Sequence, residues 1–269
     1  MSDIDLSTRI DLIETAHLLA DAAREAILPH FRSRDLGADN KDQSGYDPVT
    51  KADRAAERAM RDVLANRRPL DAILGEEFGA RAGTSGLTWV LDPIDGTRGF
   101  ISGTPTWGVL IAVGGADGPE FGIIDQPYIK ERFVGGFGEA YCDGPHGQSA
   151  LVSKGNTDLT KAILFTTFPE VGTSNDREGF DAVSELVQLT RYGTDCYAYA
   201  LVASGQVDLV IEAALNPYDI QGPIAVVQAA GGIVTDWRGD AAHNGGQAIA
   251  AANAQIHAKA LAILRNYAT

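Results

Sequence analysis

The chain is poor in several things at once, and each shortage excludes a class of protein. Of its 269 residues only two are cysteines, Cys142 and Cys196, too few for a disulfide scaffold and in no metal-type spacing. A reducing compartment, the cytoplasm, is the expectation. Basic residues are short as well: 22 Lys and Arg against 36 Asp and Glu leave a net charge of −14. Such a surface repels nucleic acid and anionic membrane, so neither is expected as a partner. Long apolar runs are missing, the longest uncharged one, Ile220 to Thr235, being broken by glycines and by Gln221 and Gln228. It falls short of the roughly 20 residues that span a bilayer. Met1 to Leu6 carries two aspartates and no basic stretch, so no signal peptide is read there. Common catalytic templates are absent too: no GxSxG, no HExxH, no Walker or EF-hand loop, and five scattered histidines.

What is present is an ordinary folding balance, 45% hydrophobic and 22% charged. Surface scaling puts about 73% of the extended chain's surface inside the fold, enough for a real core. From Ser7 to Phe31 the positions Ile10, Ile13, Ala16, Ala20, Ala23 and Ile27 predict an amphipathic helix. Arg32 to Asp47 reads as a loop. A second helix is predicted over Lys51 to Arg67, started by Thr50 and ended before Pro69. Short apolar runs then predict strands at Ala72–Leu74, Trp89–Leu91, Trp107–Val113, Phe121–Ile124 and Arg132–Val134. Further strands are expected at Ile163–Thr166, Val207–Ile211, Ile233–Thr235 and Ala248–Ala251. Helices should alternate with them at Arg177–Leu189, Cys196–Ser204, Ile220–Ala230 and Gln255–Asn266. This order suggests a layered α/β or α+β sandwich in two halves, 1–146 and 147–269, joined near Gly144 to Ser153.

Three acidic clusters sit where a predicted strand ends or a helix begins, the usual place of a ligand crevice. They are Gly75-Glu76-Glu77, Leu91-Asp92-Pro93-Ile94-Asp95-Gly96-Thr97 and Asn216-Pro217-Tyr218-Asp219. Asp92 and Asp95, three apart and stiffened by Pro93, can aim two carboxylates and the Ile94 carbonyl at one point, and Glu76 and Asp219 could complete the set. Converging carboxylates repel unless some are protonated or a hard cation sits among them; Mg²⁺ takes such oxygens. Gly96-Thr97 adds backbone amides for a phosphate and a hydroxyl to orient water, which together describe a phosphatase.

Each piece also has a plain structural reading. Asp92-Pro93 and Asp95-Gly96 are common turn dipeptides, Glu76-Glu77 could be a solvated pair, and Asp219 could be an N-cap. Thr50-Lys51-Ala52-Asp53 reads locally as a capping box. The functional reading depends on the three clusters converging in space.

With those residues identified, the chain resembles the inositol monophosphatase family, Mg²⁺-dependent phosphatases of layered αβαβα fold. The likeness runs through Asp47 to Asp53, Gly75-Glu76-Glu77, Trp89 to Thr97 (WVLDPIDGT) and Tyr218-Asp219 to Gly232. It implies that Glu76, Asp92, the Ile94 carbonyl, Asp95 and Asp219 hold two or three Mg²⁺ ions. Asp47 and Thr97 would then orient the attacking water, and the amides of Gly96 and Thr97 would take the phosphate. Gly96 to Gly103, Asp195 to Ala200 and Asn216 to Asp219 look like the histidinol-phosphate phosphatase branch, of histidine biosynthesis. Gly99 and the stretch Gln221-Gly222-Pro223 depart from that branch.

Asp195 and Glu212 would complement the ammonium and imidazole of histidinol phosphate. Asp195 could equally cap the helix beginning at Cys196. The expected protein is a cytoplasmic homodimer hydrolysing a small phosphorylated substrate. Inositol-1-phosphate or another small-alcohol phosphate is the alternative substrate, and a catalytically silent metal-binding regulator the alternative of another class.

Overall fold

Asp5 starts the first helix by accepting the Thr8 amide at 3.1 Å, and α1 runs Leu6–Ile27. The computed structural model describes residues 4–34, 38–40, 48–168 and 170–269. Pro29 has no amide hydrogen with which to extend the helical ladder, so α1 ends with Leu28 as its C-cap, short of the expected end at Phe31. Of the expected stripe, Ala16, Ala20, Ala23 and Ile27 are fully buried, joined by Leu12 and Leu19, whereas Ile10 is 50% exposed. β1 (Ala38–Asn40), inside the stretch expected as loop, pairs antiparallel with β2 (Pro48–Thr50), which follows that stretch. The capping box then starts α2 (Lys51–Arg67), with the Thr50 amide donating to Asp53 Oδ2 at 2.9 Å and the Ala52 amide to Thr50 Oγ1 at 3.1 Å.

After α2, β3 (Ala72–Gly75) carries β4 (Gly79–Arg81) on one edge and runs parallel to β5 (Thr88–Asp95) on the other. A short helix, α3 (Thr97–Ser102), turns the chain into β6 (Gly108–Gly115), which begins an antiparallel meander. It continues through β7 (Gly118–Gln126), β8 (Glu131–Gly136), β9 (Glu139–Gly144) and β10 (Gly147–Ala150), giving eight strands in the order β10-β9-β8-β7-β6-β5-β3-β4. The hairpin of β9 and β10 was not expected: β10 is exposed throughout, so no apolar alternation marks it. Although it lies past residue 146, β10 pairs in this first sheet, and the chain crosses to the second between Ala150 and Ile163.

The second sheet begins with β11 (Ile163–Thr166), followed by α4 (Ser174–Ser184). The helix expected to reach Leu189 is displaced, because a Thr173–Asp176 capping box starts it early. The residues after it form β12 (Leu189–Tyr192), parallel to β11. Then come α5 (Tyr197–Ala203), β13 (Leu209–Leu215), α6 (Pro217–Ala229), β14 (Ile233–Thr235), β15 (Gly246–Ala251) and α7 (Ala254–Leu264). The sheet order is β12-β11-β13-β15-β14.

α1 and α2 cover one face of the larger sheet, α5 and α6 lie between the sheets, and α4 and α7 cover the far face of the smaller one. This is the expected αβαβα layering. Alternation along β6 serves two layers at once: Val109, Ile111 and Val113 face the α1/α2 core, and Leu110 faces the core between the sheets.

α6 approaches β7 and β8 at backbone distance. A Cβ on Gly135 would lie 2.5 Å from the Val226 Cα, and one on Gly122 would lie 2.8 Å from the Gly222 carbonyl oxygen. Glycine at Gly122 and Gly135 therefore sets the depth at which the helix, and the acidic residue in its first turn, is seated.

Candidate metal and substrate site

The end of β5 departs from regular pairing with β6 between Asp92 and Asp95. Asp92 Oδ1 accepts the Ile94 amide at 3.0 Å, turning the chain so that the Ile94 side chain enters the core. Thr97 Oγ1 donates to the Ile94 carbonyl at 3.2 Å. Asp95 is held from the other half of the molecule, its Oδ2 accepting the Cys196 amide at 2.7 Å. Asp219 rides on α6, which starts at Pro217 rather than at Ile220. The expected N-cap role therefore falls to Asn216, and Asp219 sits three residues in, its Oδ2 accepting the Asn216 amide at 2.7 Å.

One carboxylate oxygen each from Asp92, Asp95 and Asp219 lie within 4.8 Å of one another. Burial first, then Glu76, Asp95 and Asp219, push the Asp92 carboxyl well above the usual carboxylate range. For Asp95 the causes are burial, then Asp219, Asp195 and Glu212. An anionic cluster that resists ionisation, built wholly from hard oxygen donors, fits a divalent cation. Glu76 reaches the group from the turn after β3, and the solvated-pair alternative falls, since the Glu77 side chain is only 2% exposed.

A cavity of about 360 Å³ opens beside this cluster, lined by Glu76, Asp95 and Asp219 and by Gly96, Thr97, Asp195 and Glu212. Asp92 is buried behind it at 2% exposure. Asp195 has a left-handed φ of 44°, and α5 is capped at Cys196. Instead of capping the helix, the Asp195 carboxylate accepts the Thr106 hydroxyl at 2.9 Å. It lies against the β5–α3 turn so closely that a Cβ on Gly96 would be 2.7 Å from Asp195 Cγ, and one on Gly99 would be 3.0 Å from its Oδ2. The small residue at Gly99 thus makes room for Asp195. Burial raises the Asp195 carboxyl, opposed by the Thr106 bond and the Arg98 charge.

Glu212 Oε1 accepts the Thr167 amide at 3.0 Å and hydroxyl at 2.5 Å, and Oε2 accepts the Tyr199 hydroxyl at 2.9 Å. Burial outweighs these bonds and pushes Glu212 up to about 7. Asp47 lies outside the described residues.

Sequence reasoning passed over Thr106 and Thr167 and named Tyr199 only within the stretch Asp195 to Ala200, without a role; these are the partners that hold Asp195 and Glu212. Arg98 was named only within the stretch Gly96 to Gly103, without a role; its guanidinium stacks 4.6 Å from the Phe168 ring centroid at the cavity wall. Isolated hydroxyls and a lone arginine carry no spacing signal; only the adjacency of Arg98 to Gly96-Thr97 hinted at the site.

The inositol monophosphatase family profile matches residues 10–269. The chain belongs to that family. This inositol monophosphatase family member is 40% identical to the bifunctional phosphatase IMPL2, chloroplastic, of Arabidopsis thaliana, over 90% of the chain and 72% of that protein. It is 34% identical to a histidinol-phosphatase of Mycobacterium tuberculosis, over 93% and 96% of the two chains. Among solved structures, an inositol monophosphatase from Zymomonas mobilis superposes with a TM-score of 0.84 at 38% identity, covering 95% of this chain and 98% of that one. Family membership and the acidic cluster make the protein a metal-dependent phosphatase. Among the described residues, no helix is long and apolar enough to cross a membrane.

Proposed function

We propose that the chain hydrolyses histidinol phosphate to histidinol and phosphate. The observation that carries this reading is Asp195, a buried carboxylate in the cavity wall, joined by Glu212 on the same cavity. Together they add acidic side chains to the cavity wall beyond the metal cluster, which suits a leaving group bearing an ammonium and an imidazole. The similarity to histidinol-phosphatases supports it.

In this reading Glu76, Asp92, the Ile94 carbonyl, Asp95 and Asp219 hold two or three Mg²⁺ ions. Bound there, Mg²⁺ supplies neutralisation of the phosphate charge and a more acidic water. The remaining work belongs to the chain. Thr97 donates its hydroxyl hydrogen to the Ile94 carbonyl, so its oxygen lone pairs face outward to accept a hydrogen from the attacking water, and Asp47 shares that task. Gly96, at a φ of 82°, turns the backbone so that its amide and that of Thr97 bind phosphate oxygens. Asp195 and Glu212 orient the leaving group.

Hydrolysis of inositol-1-phosphate or another small polyol phosphate is the second reading. The hydroxyl-bearing wall of Thr166, Thr167 and Tyr199 and the likeness to the Zymomonas mobilis structure favour it.

One assay separates them: phosphate release from histidinol phosphate and from inositol-1-phosphate, by wild type and Asp195→Asn. Loss of one charge-assisted hydrogen bond, on the order of 1.5–3 kcal/mol, should cost about 10- to 150-fold in kcat/KM for the cationic substrate. Inositol-1-phosphate should change far less. Equal losses would remove Asp195 from recognition, and a wild type that prefers inositol-1-phosphate would overturn the substrate. No release from any phosphate monoester would point to the silent regulator.

A further inference from the structure

We infer that Glu57, a residue of α2 outside the cavity, is a positioning residue that sets the aim of Glu76 and with it the affinity of the metal site. Glu57 is fully buried, yet it is not placed to be a ligand, because both its oxygens are already engaged. Oε2 accepts the Glu77 amide at 2.6 Å, and Oε1 accepts the Phe78 amide at 3.2 Å and Arg61 Nε at 2.8 Å. Arg61 continues across the turn, its Nη2 donating to the Gly79 carbonyl at 2.5 Å. Arg54, one helical turn earlier on the same face, brings its Nε to 3.7 Å from Glu77 Oε2. The turn that carries Glu76 is thus wrapped around one carboxylate on the second helix.

The fit leaves no slack on the strand side. A Cβ on Gly75 would stand 2.0 Å from Glu57 Oε1 and 2.5 Å from its Cδ, so the carboxylate is seated directly on the Gly75 backbone. Glu76 lies between this seat and the Glu77 amide, while its own amide donates to the Leu91 carbonyl at 3.2 Å, next to Asp92. Its backbone is held from both sides, by β5 and by Glu57. Removing the carboxylate frees one side and leaves two amides and Arg61 without their acceptor. Partners of this kind, which orient a ligand without touching the metal, typically change metal affinity 10–100-fold when lost.

The inference rests on Glu76 being a ligand, and the experiment tests that separately. Mn²⁺ binding is titrated by the paramagnetic resonance signal of the free ion, alongside the Mg²⁺ dependence of phosphate release. Glu76→Gln must weaken Mn²⁺ binding; if it does not, the ligand reading fails and the inference with it. Glu57→Ala is expected to raise the Mn²⁺ dissociation constant about 10- to 100-fold, with most of kcat recovered at saturating Mg²⁺. Gly75→Ala should act alike by displacing the carboxylate, and Glu57→Gln, which keeps one acceptor oxygen, should fall between.

Asp208→Asn is the control for general destabilisation. Asp208 is equally buried and accepts the Ile163 amide and Lys154 just before β13. Its loss should lower Tm while leaving Mn²⁺ binding as in wild type. Wild-type Mn²⁺ affinity in folded Glu57→Ala, or in Glu57→Gln where the alanine variant does not fold, overturns the role. So does an equal loss in Asp208→Asn.

Discussion

Asp219 uses one carboxylate for two purposes, fastening the first turn of α6 through the Asn216 amide and adding charge to Asp92 and Asp95. Asp219→Asn keeps the shape and removes the charge. Asp219→Asn and Asp95→Asn should therefore each lose at least about 100-fold in kcat/KM, as expected when a charge clamp worth several kcal/mol is weakened. The Tm of the metal-free protein should hold or rise, because a buried repulsion is relieved; full activity in EDTA would contradict the metal role. Thr97 belongs to the same scale. Thr97→Ala should lower kcat more than it raises KM, since a hydroxyl orienting water acts mainly in the transition state, and steady-state kinetics on each variant decide it. Asp47→Asn should behave in the same way. At this scale the metal carboxylates were legible because each follows a strand or opens a helix, whereas Glu57 was not: on a helix its spacing from Arg61 reads only as a surface pair.

Elements were legible where a local signal sufficed. α2 starts where the Thr50–Asp53 box said it would and ends where Pro69 said it would, and β11 and β14 match their apolar runs. β12 was not legible, because Leu189 continues a helical pattern locally and only pairing with β11 makes it a strand. The depth of α6 was likewise invisible, since Gly122 meets Gly222, and Gly135 meets Val226, only in space. Gly135→Ala should push α6 off β8 and cost about 1–3 kcal/mol by overpacking, read as a lower denaturant midpoint. Because Asp219 moves with the helix, the same variant should need more Mg²⁺ for half-maximal activity. A destabilised protein with an unchanged Mg²⁺ requirement would uncouple the helix from the site.

Across the whole molecule, α1 is tied to the larger sheet by buried charge as well as by its apolar stripe. Arg24 and Arg132 both bind Asp125, which is fully buried, and Arg132 also reaches Asp21. Asp125→Asn should cost about 3–5 kcal/mol, measured by denaturant unfolding, because two guanidinium groups lose a buried counter-charge. The acidic cluster works in the opposite direction. The carboxyl groups of Asp92 and Asp95 are raised in the folded state, so the stability they contribute in acid is lost as pH rises through their folded values. The metal-free protein therefore carries its largest electrostatic cost at neutral pH and above, where bound cation offsets it. Mg²⁺ at about 100 times its dissociation constant should add about 2.7 kcal/mol, or roughly 5–10 °C in Tm. With the Mg²⁺ concentration held fixed, the rise should be larger at pH 7.5 than at pH 5.5, where protons compete for the carboxylates, and a shift independent of pH would contradict the linkage.

The sequence by itself determined the starts of α1 and α2, most of the hydrophobic strands, a layered sandwich of helices and sheets, and the acidic residues Asp92, Asp95 and Asp219, because caps, periodicity and strand-end carboxylates act within a few residues. Only the tertiary structure decided that Asp195 serves the cavity rather than a helix cap. Its left-handed backbone and its bond to Thr106 depend on a turn some ninety residues away, seated against Gly96 and Gly99. The seat of Glu76 on Glu57 and the depth of α6 have the same origin. They are backbone-to-side-chain and backbone-to-backbone contacts between elements distant in sequence, and a close approach of that kind leaves in the chain nothing more than a glycine.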